Sequence, residues 1–236
     1  MHFRGCTGND NLLARSYHSG ETTDALEFAK ALSKRHPKRV LYGVGYSLGA
    51  NMLLKLLGET GEKSPFHKCV AVSPPMDLKE CADKIDKGIS KYYQHRLVKE
   101  LKSALKKKYK RHNMQKIIGL KYKDIQKIKT FWEFDNAYTA PIHGFDDASH
   151  YYEQCSSKQF LKNITTPTLL IHAKDDPFMS QKVIPRAQEL SSSIEFLLYE
   201  NGGHVGFISG SFFQPEFWLE KKISEVITLQ ERQQSN

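Results

Sequence analysis

The chain has 236 residues, 39% of them hydrophobic, which suits one large domain or a domain that carries an inserted subdomain. No apolar run approaches the ~20 residues that a membrane-spanning helix needs, and the first residues lack the pattern of a secretion signal. The four cysteines are widely spaced and show no zinc-binding spacing, so we expect reduced thiols, no bound metal and no disulfide framework. These features predict a soluble, cytoplasmic protein.

The net charge of +9 is concentrated in one segment. Residues 91–129 contain fourteen Lys or Arg but only two acidic residues, Glu100 and Asp124, so this segment carries +12 and the rest of the chain −3. No nucleic-acid recognition motif accompanies the charge, and we expect no nucleic-acid partner. Two interpretations remain open: a solvated helical face, or a peripheral contact with an anionic membrane.

The first predicted helix follows a capping box formed by Asp24 and Glu27. A second helix, apolar on almost every side, follows Ser47 and is predicted to end at Gly58. Near the end of the chain, Pro215 is predicted to begin the last helix.

Four β-rich runs lie among these helices, and each is mostly apolar rather than alternating. Such runs are typical of parallel strands that are covered on both faces. The order of strands and helices predicts an α/β fold with a mostly parallel sheet flanked by helices. The runs are residues 39–45, 69–74, 168–173 and 194–199.

The stretch from 78 to 164 interrupts the alternation because it contains no convincing strand. It holds an amphipathic helix, the lysine-rich run and the aromatic stretch "FWEFDNAY". We therefore predict a helical cap inserted between two strands. The predicted bounds are 1–77 for the first core segment, 78–164 for the basic cap and 165–236 for the second core segment.

The segment Gly45-Tyr46-Ser47-Leu48-Gly49 joins the first predicted strand to the second helix. A serine on such a sharp turn exposes its hydroxyl above the sheet, and glycines two residues before and after it avoid collisions in the turn. The pattern alone is a weak signal, but its strand-to-helix context predicts that Ser47 is a nucleophile. The N–H of Leu48 would then be one donor to a developing oxyanion.

A nucleophile of this kind needs an acid and a histidine after later strands. Asp175 and Asp176 follow the third predicted strand, and His204 follows the fourth in a glycine-rich loop. We favour Asp176 as the acid because it precedes Pro177 and lies three residues after the strand. Four other histidines are predicted to be structural: His18, His143, His150 and His172.

Four stretches closely resemble the YheT-like α/β-hydrolases, which are similar to abhydrolase-domain lipases and short-chain carboxylesterases. They are "HFRGCTGNDNLLARSYHSGETTDA", "GYSLGANMLLKLLGE", "AVSPPMDLKECADKIDKGIS" and "PTLLIHAKDDPFM" with "GGHVGF". The resemblance implies Ser47 as nucleophile, Asp176 as acid and His204 as base. It also implies esterase activity on short or medium acyl esters, acyl transfer to an alcohol in some members, and no cofactor.

The resemblance begins in mid-domain, so we expect the chain to correspond to the C-terminal two-thirds of an α/β-hydrolase domain. The segment that carries the second oxyanion donor in the family has no counterpart here, and the strand at 39–45 is predicted to expose an apolar edge. We suspect a truncated gene, a split reading frame or a start codon assigned too late.

Three functions of different classes follow. The leading hypothesis is a serine carboxylic ester hydrolase that acts on a small-molecule ester or lipid. The second is an acyltransferase with the same three side chains, and the third is an inactive remnant or a module that binds anionic surfaces. The aromatic side chains of the cap either line an acyl pocket or form the cap's core: Phe131, Trp132, Phe134 and Tyr138.

Overall fold

The computed structural model describes residues 1–7, 11–211 and 213–233. Residues 8–10 of the first motif lie outside the described residues. The helices, in chain order, are α1 (Thr23–Arg35), α2 (Leu48–Thr60), α3 (Leu78–Ile85), α4 (Ser90–Tyr109), α5 (Met114–Ile118), α6 (Phe131–Phe134), α7 (Ala140–His143), α8 (Ala148–Cys155) and α9 (Trp218–Gln233). A single π-helical turn, Asp135–Thr139, joins α6 to α7.

Six strands form two sheets among the described residues. They are β1 (Tyr42–Tyr46), β2 (Lys68–Val72), β3 (Thr168–Ala173), β4 (Ile194–Tyr199), β5 (Ile208–Ser211) and β6 (Gln214–Phe217). The main sheet has the order β1-β2-β3-β4 and is parallel throughout. This arrangement confirms the predicted α/β fold with a mostly parallel sheet.

The burial of the strands follows from their positions in the sheet. Every residue of the central strand β3 is buried, as expected of a parallel strand with helices or loops on both faces. Strand β1 lies at one edge and exposes Val44 (39%) and Tyr46 (45%). Val44 and Tyr46 are alternate residues and therefore share one face of the sheet, and the prediction that this strand presents an apolar edge stays a prediction.

Helix α2 extends beyond its predicted end. It continues to Thr60 and is followed by Gly61, whose φ is +51°. Gly58 serves a different purpose, because a side chain there would collide with the backbone carbonyl and Cβ of Phe160. Glycine therefore permits close packing at position 58, and the prediction that it ends the helix was wrong.

The predicted starts of two other helices were also wrong. Helix α1 begins at Thr23, and its N-cap residue Thr22 makes no side-chain capping bond, donating instead to the Glu59 carboxylate at 2.7 Å. Pro215 lies in β6 of an antiparallel hairpin, opposite Gly210, and α9 begins only at Trp218. A two-stranded ribbon tolerates proline because each of its strands has a free edge.

The chain divides into two compact units. The sheet unit comprises Thr22–Met76 and Ser157–Asn236, and the helical unit comprises Met1–Glu21 and Asp77–Ser156. In the sheet unit, α9 contributes Leu219 and Ile223 to an apolar cluster with alternate residues of β2 and β3.

The helical unit includes the N-terminal segment, which the sequence assigns to the core. The buried Lys108 ammonium donates to the carbonyls of Leu13 (2.7 Å) and Arg15 (3.2 Å). The Tyr151 hydroxyl donates to Ser19 Oγ at 2.7 Å. These bonds connect chain positions more than ninety residues apart, which local sequence patterns do not reveal; the predicted domain bounds stay a prediction.

The aromatic stretch contributes to the packing of the helical unit. Phe134 and Tyr138 are buried beside Val98, Leu105 and Met114. Their rings meet edge to face with centroids 5.5 Å apart, a favourable geometry for aromatic pairs.

None of the described helices combines the length and the apolar character needed to cross a membrane.

Candidate active site

The turn between β1 and α2 holds Ser47 in an uncommon backbone conformation. Its φ is +49° and its ψ is −120°, a region that non-glycine residues enter at a cost and that often marks functional sites. Gly45 makes this turn possible, because a Cβ there would lie 2.7 Å from the Gly49 carbonyl oxygen and 2.8 Å from Ala50 Cα.

Gly49 differs from Gly45. Apart from its two chain neighbours and the nearby backbone of α2 itself, no described residue lies within 4 Å of a Cβ built at Gly49, and the φ of Gly49 is not positive. A collision with other parts of the chain therefore accounts for glycine at position 45 and does not account for it at position 49, and the role of the two residues as motif glycines stays a prediction. The reason is that Gly49 already lies in the first turn of α2, with its side-chain direction pointing away from the described residues.

The N-terminal end of α2, which carries a partial positive charge, lies beside Ser47. Leu48 is its first residue, so the Leu48 N–H has no acceptor within the helix. The Ser47 carbonyl accepts bonds from the N–H groups of Ala50 (2.9 Å) and Asn51 (3.1 Å). The aligned peptide dipoles favour negative charge at this end of the helix.

The loop after β3 directs a carboxylate towards the imidazole of His204. The Asp176 side chain is only 1% exposed, and its Oδ1 accepts a bond from the Phe178 N–H at 2.9 Å. Its Oδ2 lies 2.7 Å from His204 Nδ1. Asp176, rather than Asp175, therefore meets the histidine.

His204 links the carboxylate to the serine. Its Nε2 lies 2.7 Å from Ser47 Oγ. An ionised carboxylate can only accept hydrogen bonds, so Nδ1 donates to Asp176 and the unprotonated Nε2 accepts from the serine hydroxyl. The ring of Phe178 contacts the imidazole edge to face, with centroids 4.8 Å apart.

Asp175 holds the loop that carries His204. Its Oδ1 accepts bonds from the N–H groups of Gly202 (3.0 Å) and Gly203 (2.8 Å). Lys174 and Glu200 form an ion pair between the same two loops. The sequence analysis assigned no role to Asp175. The two adjacent aspartates after β3 and the two adjacent glycines before His204 are the sequence features that could have indicated this contact.

The remaining histidines lie outside this hydrogen-bonded chain. His172 is buried in β3, and burial lowers the pKa of its imidazole. In the helical unit, His18 Nδ1 accepts a bond from the Gly20 N–H at 3.2 Å. Burial is also the main cause that lowers the pKa of His143 to about 4.

The part of the chain that the structure describes contains no set of side chains that could bind a metal ion. There, no three His, Cys, Asp or Glu side chains are grouped so as to hold a metal ion.

The parallel sheet, the strained serine and its hydrogen-bonded histidine define the architecture of an α/β hydrolase. The sequence model of the α/β hydrolase fold family matches residues 1–211 of this chain. The chain belongs to this family.

Named relatives extend the comparison. The chain is 44% identical to "Putative esterase YheT" of Escherichia coli K12, covering 97% of this chain and 66% of the relative. It is 32% identical to the "Monoacylglycerol lipase" of Saccharomyces cerevisiae, covering 86% of this chain and 46% of that protein. It is also 28% identical to the "Medium-chain fatty acid ethyl ester synthase/esterase 2" of the same yeast, covering 97% of this chain and 54% of that protein. The chain thus spans about half to two-thirds of the length of these relatives.

Proposed function

We propose that the protein hydrolyses carboxylic esters through Ser47, His204 and Asp176. The observation that carries the proposal is the continuous chain of two 2.7 Å hydrogen bonds from Ser47 through His204 to Asp176. This is the arrangement required to activate a serine hydroxyl. Membership of the hydrolase family and relatives named as an esterase and a lipase support the same reaction class.

In the proposed reaction, Ser47 Oγ attacks the ester carbonyl carbon while its proton moves to His204 Nε2. Asp176 stabilises the resulting imidazolium through Nδ1. His204 then gives this proton to the departing alkoxide as the carbon–oxygen bond breaks, which leaves an acyl group on Ser47. A water molecule then attacks the acyl carbon while His204 takes its proton. His204 returns this proton to Ser47 Oγ as the ester bond to the serine breaks, and the carboxylic acid is released.

The proposed oxyanion donor is the N–H of Leu48, supported by its position at the first residue of α2. One such donor typically contributes about 10²–10³ in rate.

The test combines covalent labelling with hydrolysis of p-nitrophenyl esters of increasing acyl length. A fluorophosphonate should label the wild-type protein at Ser47, and Ser47→Ala should abolish labelling and lower the hydrolysis rate by about 10³-fold or more. Ser103→Ala, at an exposed serine of α4, is the matched control. Unchanged labelling of a folded Ser47→Ala variant would refute the proposal. The ester series also tests our proposal of a preference for short to medium acyl chains.

Transfer of the acyl group to an alcohol is the second candidate. The name of the yeast synthase/esterase relative is the observation that favours it. Hydrolysis of a medium-chain ester in the presence of ethanol would distinguish the two reactions. Ethyl ester that forms in proportion to ethanol and depends on Ser47 supports transfer, whereas free acid alone supports hydrolysis.

A further inference from the structure

Helix α4 presents an apolar stripe to solvent at its N-terminal end. Ile89, Tyr93 and Leu97 recur at intervals of four residues and therefore follow one line along the helix. They are 85%, 47% and 41% exposed, and the neighbouring Tyr92 is 74% exposed. We call these four residues the α4 stripe. Large apolar side chains that cluster on a surface mark an interaction site more often than single ones do.

Basic residues are concentrated in the same segment as the α4 stripe. Residues 87–99 contain four Lys or Arg and no Asp or Glu. The acidic residues that flank this segment in the sequence are Asp86, which contacts Lys91 at 3.6 Å, and Glu100, which contacts Arg96 at 3.5 Å. Lys99, which lies between these two acidic residues in the sequence, is exposed.

Part of the lysine-rich run that follows has an internal role. Lys102 donates to the carbonyls of Gln126 (3.0 Å) and Ile128 (2.7 Å), and Lys108 donates to backbone carbonyls of the N-terminal segment. These two ammonium groups therefore connect parts of the helical unit that are distant in sequence. The surface that combines apolar and basic groups is therefore the first half of α4.

We propose that the α4 stripe docks the protein on the surface of an anionic lipid bilayer. Ile89 and Leu97 would enter the boundary between headgroups and acyl chains. Tyrosines favour this interface because their rings are apolar and their hydroxyls polar. Lys and Arg side chains would extend to anionic headgroups, as on interfacial amphipathic helices.

The charge distribution favours an anionic lipid surface over a second copy of the chain. A second copy of the chain would bring the same basic segment against itself, and like charges oppose such a symmetric contact. The proposal does not depend on the proposed ester chemistry.

Vesicle co-sedimentation tests the proposal directly. The full chain is mixed with vesicles of phosphatidylcholine alone, or of phosphatidylcholine with about 30% phosphatidylglycerol, at low and high salt. We expect binding to the anionic vesicles that weakens as salt rises, with little binding to the neutral ones. Equal binding to both vesicles, or none to the anionic ones, would overturn the proposal.

Matched variants separate the α4 stripe from general surface properties. Ile89→Ser with Leu97→Ser, and separately Arg96→Gln with Lys99→Gln, should each weaken binding about tenfold. The controls are Leu12→Ser with Ile117→Ser, which are 72% and 47% exposed, and Lys121→Gln with Lys123→Gln. Controls that lose as much binding as the stripe variants would contradict the assignment.

Two further measurements keep the outcomes distinct. Light scattering without vesicles reports whether the stripe joins two copies, and a dimer that the stripe variants dissociate would replace lipid as the occupant. Circular dichroism verifies that each variant is folded. Ser47→Ala should bind vesicles like the wild type, so that loss of the proposed ester chemistry is distinguished from loss of docking.

Discussion

At the residue scale, the two consecutive aspartates have different contacts. Asp176 is buried and holds the imidazole, whereas Asp175 is exposed and accepts two backbone bonds from the loop that leads to His204. Both carboxylates thus influence the same imidazole, one through its Nδ1 and the other through its loop.

We predict that Asp175→Ala lowers kcat/KM about tenfold, mainly through kcat, because a displaced imidazole activates Ser47 poorly. Asp175→Asn keeps an acceptor oxygen and should retain most of the activity. Ester hydrolysis and the pH profile of fluorophosphonate labelling provide the measurement. Glu200→Gln, which removes an exposed ion pair between the same loops, is the control and should change little. An unaltered labelling rate in Asp175→Ala would show that the loop needs no such support.

At the element scale, the junction of β1 with α2 depends on one of its two motif glycines. Backbone atoms of Gly49 and Ala50 occupy the space that a side chain at Gly45 would need. The corresponding space at Gly49 is open among the described residues. The two glycines of the same motif should therefore respond differently to the same substitution.

We predict that Gly45→Ala destabilises the protein by about 2–4 kcal/mol, since backbone atoms must shift to admit the methyl group. Gly49→Ala should be neutral or stabilising by up to about 1 kcal/mol, because alanine favours helical conformations. Urea unfolding of both variants measures the difference. Equal destabilisation by the two substitutions would contradict the steric explanation.

The sequence patterns predicted two strands correctly and missed a hairpin, and the structure explains both outcomes. The strands at 168–173 and 194–199 were predicted with their observed bounds, since both are short, mostly apolar runs. Burial on both faces explains this composition for β3, whereas β4 is an edge strand in which only Ile194 is buried. The β5–β6 hairpin was missed because its four-residue strands are exposed and carry no apolar signal. Its pairing, rather than a helix, fixes the conformation around Pro215.

At the scale of the whole molecule, pH acts on stability through buried groups in opposite directions. Burial, His18 and Arg15 hold the pKa of His143 at about 4, although Glu21 raises it. Burial raises the pKa of Asp135 to about 6, against the hydrogen bonds from Thr139 and Tyr152. The His143 contribution is lost as pH falls from about 6.5 towards 4, and the Asp135 contribution is lost as pH rises through about 6.

We predict that His143→Gln reduces the loss of stability between pH 7 and pH 5 relative to the wild type. In the wild type, the unfolded state binds a proton over this range that the folded state excludes. Urea unfolding at several pH values measures the difference between the two proteins, which removes the opposing contribution of Asp135. His95→Gln, at an exposed histidine of α4, is the control. Parallel pH curves for wild type and His143→Gln would contradict the prediction.

The sequence by itself determined the alternation of strands and helices, and the order in which a serine, a pair of aspartates and a histidine follow strand ends. These features can be seen in the sequence because the burial of a strand and the geometry of a turn each restrict the residue types at a few adjacent positions. Only the tertiary structure decided that Asp176 rather than Asp175 meets His204, that Gly49 has free space and that Lys108 binds the N-terminal segment. Each of these depends on groups distant in the chain, whose approach is set by packing rather than by local spacing.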